Sequence, residues 1–205
     1  KVSIFSAEGL DLRNEVLGDG YIAPDMEFGQ PVAVLFSAHG HAHTYLPSGT
    51  YFAVASRGIE YEIDVSDPFT IRQNNHQQLQ LQVLKTIDTD GWISADFHVH
   101  SQPSHDSGVS FHSRVISMVS EGEEYFTPTD HDFISDVDPV IEELGLEYWI
   151  NAAPGTEVTT IEIGHYLGFP VAVDRLKDSG GAIDWTGSTP QELIDGIRDL
   201  KPVNS

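Results

Sequence analysis

Cysteine is absent from the 205 residues, so the chain has no disulfide framework and no thiolate for nucleophilic attack or metal binding. Basic residues are few: 10 Lys and Arg stand against 32 Asp and Glu, for a formal net charge of −22. This acidic surface repels phosphate backbones and argues against nucleic acid as a partner. Long apolar runs are also lacking. Because a helix needs roughly 20 apolar residues to cross a bilayer, we expect no membrane span.

The first part of the chain, residues 1–88, carries strand signals and no helical periodicity. Polar and apolar residues alternate strictly over residues 78–83, which is the period of a half-buried strand. Further strands are predicted at 32–36, 51–55 and 60–65, with Gly and Pro turns between them. We therefore expect a small, all-β, sandwich-like domain.

From residue 89 to residue 205 the pattern changes to alternating strands and helices. Strands are predicted at 92–99, 124–128, 148–153 and within 161–173, and apolar residues at helical spacing predict helices after the first two. Thr189 and Glu192 form a capping box with Pro190 at the first position of a last helix. Repeated βα units predict an α/β domain with a parallel sheet or barrel.

Histidines and carboxylates gather where these strands end. His98 and His100 are two apart on one strand, so both imidazoles leave the same face, which Asp96 shares and from which it could orient a ring. His131 follows the next strand. Each of these residues alone is explained equally well as an ordinary polar side chain or a helix cap.

The combination favours a metal site, because each group follows or ends a different strand, and the carboxyl ends of strands meet in βα folds. Nitrogen and oxygen ligands of this kind suit zinc, manganese or iron, and such a site activates water for hydrolysis. The candidate ligands are His98, His100, His131, Glu157 and His165, whereas Asp106 is by its local sequence a turn residue.

Two further groups bear on function. His39, His41 and His43 alternate, and we interpret them as an edge strand at the surface, with metal binding as the alternative. Asp130 and Asp132 flank His131; either could accept a proton or orient that imidazole, and both are candidate catalytic residues. Arg114 and Arg175 are the basic residues near the motifs that could hold an anion.

These motifs resemble those of the PHP (polymerase and histidinol phosphatase) metallohydrolases. The resemblance rests on Asp96-Phe97-His98-Val99-His100-Ser101, Thr129-Asp130-His131-Asp132 and Glu157. The sequence around Asp106 and Gly164-His165 is most similar to the CehA/McbA branch, as are Leu46–Tyr51 and Arg57–Tyr61, which resemble the β-rich region before the PHP domain in that branch.

The resemblance implies a distorted (β/α)7 barrel with two or three divalent metal ions at its strand ends. His98 and His100 would bind the first metal, Glu157 would bridge to the second, which His165 also binds, and Asp106 and His131 would hold the third. The implied activity is hydrolysis of a small-molecule phosphoester, or of another ester or carbamate. The same resemblance favours a periplasmic or secreted protein, with a cytoplasmic one as the alternative.

One departure from the family concerns the end of the barrel. The family completes its site with later histidine motifs, and no histidine follows His165 here. We therefore expect a truncated PHP domain whose site is completed by a C-terminal continuation or a second chain. A degenerate site is the remaining alternative, and the rival function is a non-catalytic module that binds a glycan or a protein.

Overall fold

The chain divides into two compact units, Lys1–Thr89 and Asp90–Ser205. The structure is a computed structural model that describes residues 1–7 and 31–202. Within these residues the protein is a mixed α/β structure with three sheets and three α-helices, and the sheets do not close into a barrel. None of the described helices is both long and apolar enough to cross a bilayer.

The first unit is built on one antiparallel sheet. Its strands are β1 (Val2–Ser6), β2 (Ala33–Leu35), β3 (Gly49–Ala55), β4 (Asp64–Val65) and β5 (Phe69–Ile71). Their order is β2-β1-β3-β4, and β5 also pairs with β3. Ile4, Tyr51 and Ala53 form its buried core, and the Phe5 and Phe52 rings stack 5.2 Å apart. Because β3 touches neighbours on both edges, it is the central strand of the sheet.

Three strand predictions in this unit are wrong in whole or in part. Residues 78–83 and 39–43 lie in no strand, and the strand predicted at 60–65 is reduced to its last two residues. The alternation of polar and apolar residues at 78–83 still corresponds to burial, because Leu81 packs on the core while its neighbours are exposed. The Gln82 N–H, however, donates to the side chain of Asp64 at 2.7 Å instead of to a strand ladder. The described part of the unit contains a single sheet, so the second layer of a sandwich is not found there.

The second unit begins with a parallel sheet of two βα steps. The order along the chain is β6 (Ala95–Val99), α1 (Phe111–Glu121), β7 (Tyr125–Pro128), α2 (Asp138–Leu144) and β8 (Asn151–Ala152). The strands lie in the order β6-β7-β8, all parallel. The sequence-based prediction of a parallel sheet is therefore confirmed for this part of the chain. Phe126, Val115 and Ile150 are fully buried between sheet and helices.

An antiparallel hairpin follows the parallel sheet. It consists of β9 (Thr156–Thr159) and β10 (His165–Gly168), and a 3₁₀ turn (Asp178–Gly181) and α3 (Pro190–Asp199) come after it. Gly155, just before β9, packs closely against the end of β7. A Cβ atom at this position would lie 2.5 Å from the Thr127 methyl group and 2.8 Å from the Pro128 carbonyl oxygen. Only glycine fits at this point, which places β9 directly beside the end of β7.

The helices begin and end at the signals that the sequence carries. The Ser110 hydroxyl accepts a hydrogen bond from the Ser113 N–H at the start of α1, and Gly122 ends this helix at φ 89°. Gly145 ends α2 at φ 65°, in the left-handed region that glycine enters without strain. The predicted capping box of α3 is present, with the Thr189 hydroxyl bound to the Glu192 N–H and the Glu192 carboxylate bound to the Thr189 N–H.

Replacing Thr189 by Ala is expected to destabilise the protein by about 1 kcal/mol, because the Glu192 N–H loses its acceptor at the end of α3. Urea unfolding followed by circular dichroism measures this change. Ser188→Ala is the matched control, since it removes a neighbouring hydroxyl outside the cap. Equal stability of the two variants would contradict the role assigned to the cap.

Candidate metal centre

Four imidazoles surround one buried carboxylate, that of Glu157 on β9. The residue is only 2% exposed, and both of its carboxylate oxygens face histidine nitrogens. Oε2 lies 3.0 Å from His100 Nε2, 3.1 Å from His131 Nδ1 and 3.4 Å from His98 Nε2. Oε1 lies 2.8 Å from His165 Nδ1. Glu157 is therefore the shared centre of the cluster.

Asp106 forms a second, exposed centre on the same cluster. Its Oδ1 lies 3.1 Å from His100 Nδ1, and its Oδ2 lies 3.4 Å from His131 Nε2. Each of these two imidazoles thus faces Glu157 with one nitrogen and Asp106 with the other. The structure consequently brings together all six residues for which the sequence predicts a metal site.

The fold explains why the six residues meet. His98 lies on β6, and His100 follows its last residue. His131 follows β7 and forms a parallel bridge with Glu157. His165, the first residue of β10, pairs with the last residue of β9, only two positions from Glu157. The carboxyl ends of β6 and β7 bring His98, His100 and His131 to this point, as expected for a βα arrangement, and the β9–β10 hairpin brings His165.

The aspartates next to the ligands brace the backbone. Asp130 is fully buried; it accepts a 2.5 Å hydrogen bond from the Ser101 N–H and another from the Ser135 hydroxyl. The Asp132 carboxylate accepts the Thr159 N–H at 3.0 Å. These contacts hold the loops after β6 and β7 and the end of β9, and neither aspartate has a contact with the imidazole of His131 among the described residues.

Asp96 also differs from the sequence-based expectation. Its Oδ1 accepts the backbone N–H of His98 at 3.0 Å, and among the described residues it has no hydrogen bond to an imidazole, the role that the sequence offers for it. The His131 ring has a further polar partner besides Glu157 and Asp106: the Thr159 hydroxyl lies 2.5 Å from its Nδ1. The position of this threonine depends on the β9–β10 hairpin, so no local motif could have identified it.

His105 is a further neighbour that the sequence analysis did not identify. Its ring centroid lies 4.5 Å from that of His131, although the residue is exposed. Its place beside Asp106 in a turn is the only local signal for it. His112, by contrast, pairs with Glu143 at 3.1 Å on the surface, and the ligand clusters found in the described residues do not include His39, His41 or His43.

The electrostatics of the cluster favour ionised carboxylates. Burial alone would raise the pKa of Glu157, but the hydrogen bond from His165 and the charges of His131 and His98 outweigh it and hold the pKa below its ordinary value. The hydrogen bond from His100 likewise lowers the pKa of Asp106, against a smaller opposing effect of desolvation. Both groups are therefore available as anionic ligands at neutral pH.

The donor set fits a divalent metal ion. Zinc binds His nitrogen and carboxylate oxygen at about 2.0–2.2 Å, so two ligands at a tetrahedral angle lie about 3.3–3.5 Å apart. The two contacts of 3.4 Å match this spacing, and the four of 2.8–3.1 Å are shorter, at hydrogen-bond length. Three overlapping groups have ligand atoms within 4.8 Å of one another: His98, His100 and Glu157; His100, Asp106 and His131; and His131, Glu157 and His165.

The number of N–H groups on the imidazoles also favours a metal ion. His100 and His131 each face a carboxylate with both ring nitrogens. A neutral imidazole carries only one N–H, so hydrogen bonds to both carboxylates would require an imidazolium at His100, whereas at His131 the Thr159 hydroxyl also lies against Nδ1. A divalent metal ion held by these residues would satisfy the contacts with neutral rings.

Comparisons with known proteins provide no family for this chain. No model of a known protein family matches the sequence, and no curated protein matches it. The functional assignment therefore depends on the motifs and on the geometry of this cluster.

The wild-type protein is expected to bind Zn²⁺ or Mn²⁺, and Glu157→Gln to lose most of that binding, because the central anion of the cluster is removed. Metal content after dialysis, measured by mass spectrometry, gives the result. His112→Ala is the control, since this histidine lies outside the cluster and pairs with Glu143. Equal metal content in wild type and Glu157→Gln would contradict the assignment.

The metal-free protein is expected to lose stability as the pH falls below the ordinary carboxyl range of about 4–4.5. A carboxylate whose folded pKa is lowered stabilises the fold fully above its unfolded pKa, and this contribution disappears as the pH falls through the folded value. Urea unfolding between pH 3 and pH 7 tests this. In the double variant Asp106→Asn/Glu157→Gln, the free energy of unfolding should fall less steeply as the pH is lowered. An unchanged pH dependence would show that these two carboxylates do not cause the loss of stability in acid.

Proposed function

We propose that the chain is a metal-dependent hydrolase of the PHP type, acting on the phosphoester, carboxylic ester or carbamate bond of a small molecule. The observation that carries the proposal is the convergence of four imidazoles on the buried carboxylate of Glu157. When bound there, divalent metal ions supply Lewis acidity and activate water at neutral pH. No Ser or Cys nucleophile is then required, which agrees with the absence of cysteine.

We further propose that the second unit is part of a distorted (β/α)7 barrel. The support comes from the sequential parallel strands β6, β7 and β8, with a helix after each of the first two, and from the bridge that continues this arrangement to Glu157 on β9. His98, His100 and His131 lie at the carboxyl ends of β6 and β7, where barrel enzymes carry their chemistry. The proposal assigns this end to the substrate.

The burial of each side chain in the cluster indicates its role. Glu157 lies at the base of the cluster, where its charge is shielded from solvent and its two oxygens serve two ligand groups. The side chains of His98, His165 and Asp106 are each about half exposed, at 51%, 49% and 49%. A substrate therefore meets these three first. We assign Asp130 and Asp132 to positioning, since their carboxylates hold backbone and hydroxyl groups beside the ligands.

The Zn²⁺- or Mn²⁺-loaded protein is expected to hydrolyse bis(4-nitrophenyl) phosphate or 4-nitrophenyl acetate, with release of nitrophenolate followed by absorbance. His131→Ala should lower kcat/KM by about a hundredfold or more, since even changes behind metal ligands typically cost 10–100-fold. His112→Ala should retain wild-type activity. A folded, metal-loaded protein without turnover of either substrate would refute the hydrolase and favour a non-catalytic binding module.

A further inference from the structure

A cleft of about 410 Å³ opens beside the metal centre. It shares His98 and His100 with the candidate ligand set, so a molecule in the cleft lies next to the metal site. Arg114 is the one Lys or Arg side chain that lines it, and it projects from α1. The complete lining is Asp96, His98, Val99, His100, Arg114 and Met118.

Arg114 is held in a fixed orientation. Its Nε and Nη2 atoms both donate to the carbonyl oxygen of His100, at 3.0 and 2.7 Å, and the residue is half-buried. The pair of bonds fixes the plane of the guanidinium. The remaining nitrogen, Nη1, has no hydrogen-bond partner in the described part of the chain. A cation beside a cleft is thus oriented by the protein with one of its donor nitrogens still unused.

The negative net charge of the chain makes the position of Arg114 beside the cleft informative about the ligand. In a chain with a net charge of −22, an anion is repelled by most of the surface and needs a local cation to enter. Arg175, the other basic residue near the motifs, is occupied by Asp136 at 2.5 Å. Asp96 lines the same cleft as Arg114, and the two do not form an ion pair. One positive and one negative side chain favour an anion with a single charge over one with two.

We propose that Arg114 is a substrate-positioning residue that binds a singly charged anionic group, a phosphodiester or a carboxylate, in the cleft beside the metal centre. This inference deepens the proposed function and rests on it for the reaction, though not for the binding. The bonds to His100 orient the guanidinium, and Nη1 donates to the anion. Val99 and Met118 supply the apolar part of the lining.

The binding test uses NMR titration of the metal-loaded protein with two small anions, dimethyl phosphate and acetate. Arg114→Gln is expected to raise the Kd of the preferred probe by about tenfold or more, because charge-assisted hydrogen bonds contribute about 1.5–3 kcal/mol. Loss of affinity for dimethyl phosphate in this variant indicates a phosphodiester ligand, and loss of affinity for acetate indicates a carboxylate. Arg114→Lys should recover part of the affinity, and Arg175→Gln, the control outside the cleft, should leave it unchanged.

The kinetic test separates substrate binding from support of His100. If Arg114 binds the anion, Arg114→Gln raises KM for bis(4-nitrophenyl) phosphate and leaves KM for the neutral 4-nitrophenyl acetate unchanged. Equal losses on both substrates, or a fall in metal content, would overturn the proposal and assign Arg114 to holding His100. An unchanged Kd for both probes in Arg114→Gln would overturn it too.

The two proposals fail separately. Wild-type protein that binds dimethyl phosphate through Arg114 but hydrolyses neither substrate would refute the hydrolase and leave the anion site standing. If the protein hydrolyses both substrates and Arg114→Gln has no effect, the anion site is refuted and the hydrolase stands. Circular dichroism of each variant verifies folding, and Arg114→Lys carries the test if Arg114→Gln does not fold.

Discussion

The contact of one buried carboxylate with four imidazoles is the constraint on which this structure depends. Glu157 is 2% exposed, and an ionised group at that depth is strongly unfavourable unless it is paired. The surrounding imidazoles supply the pairing and keep its pKa low in spite of burial. The end of β6, the segment after β7 and the start of β10 each bring a histidine to this carboxylate. A change of the charge on Glu157 should therefore affect the metal site and the local fold together.

The surrounding structure is arranged to hold that carboxylate in place. Gly155 lets β9 approach the end of β7 more closely than any side chain would permit. Asp130, fully buried, joins the loop after β6 to Ser135. These hydrogen bonds hold the backbone beside the candidate ligands, and changes behind metal ligands typically weaken metal binding. Metal binding would in this view depend on these backbone contacts as well as on the ligands.

Much of the second unit could be predicted from sequence because its signals are local. The helix caps at Ser110, Gly145 and Thr189 lie within one turn of the groups that they satisfy. His98, His100 and His131 could be found because they lie at the ends of two strands. Thr159 and His105 could not, since their closeness to His131 arises from the packing of separate segments. The strand predicted at 78–83 failed for the related reason that a side chain, that of Asp64, takes a backbone donor there.

The most direct test of the metal centre is X-ray absorption at the zinc edge of the Zn²⁺-loaded protein. The account predicts a nitrogen and oxygen shell at about 2.0–2.1 Å with the outer-shell scattering of at least two imidazoles per zinc on average, both altered in Glu157→Gln. A shell of oxygen alone, without imidazole scattering, would show that zinc binds to the acidic surface. That result would contradict the central claim about Glu157 and its four histidines.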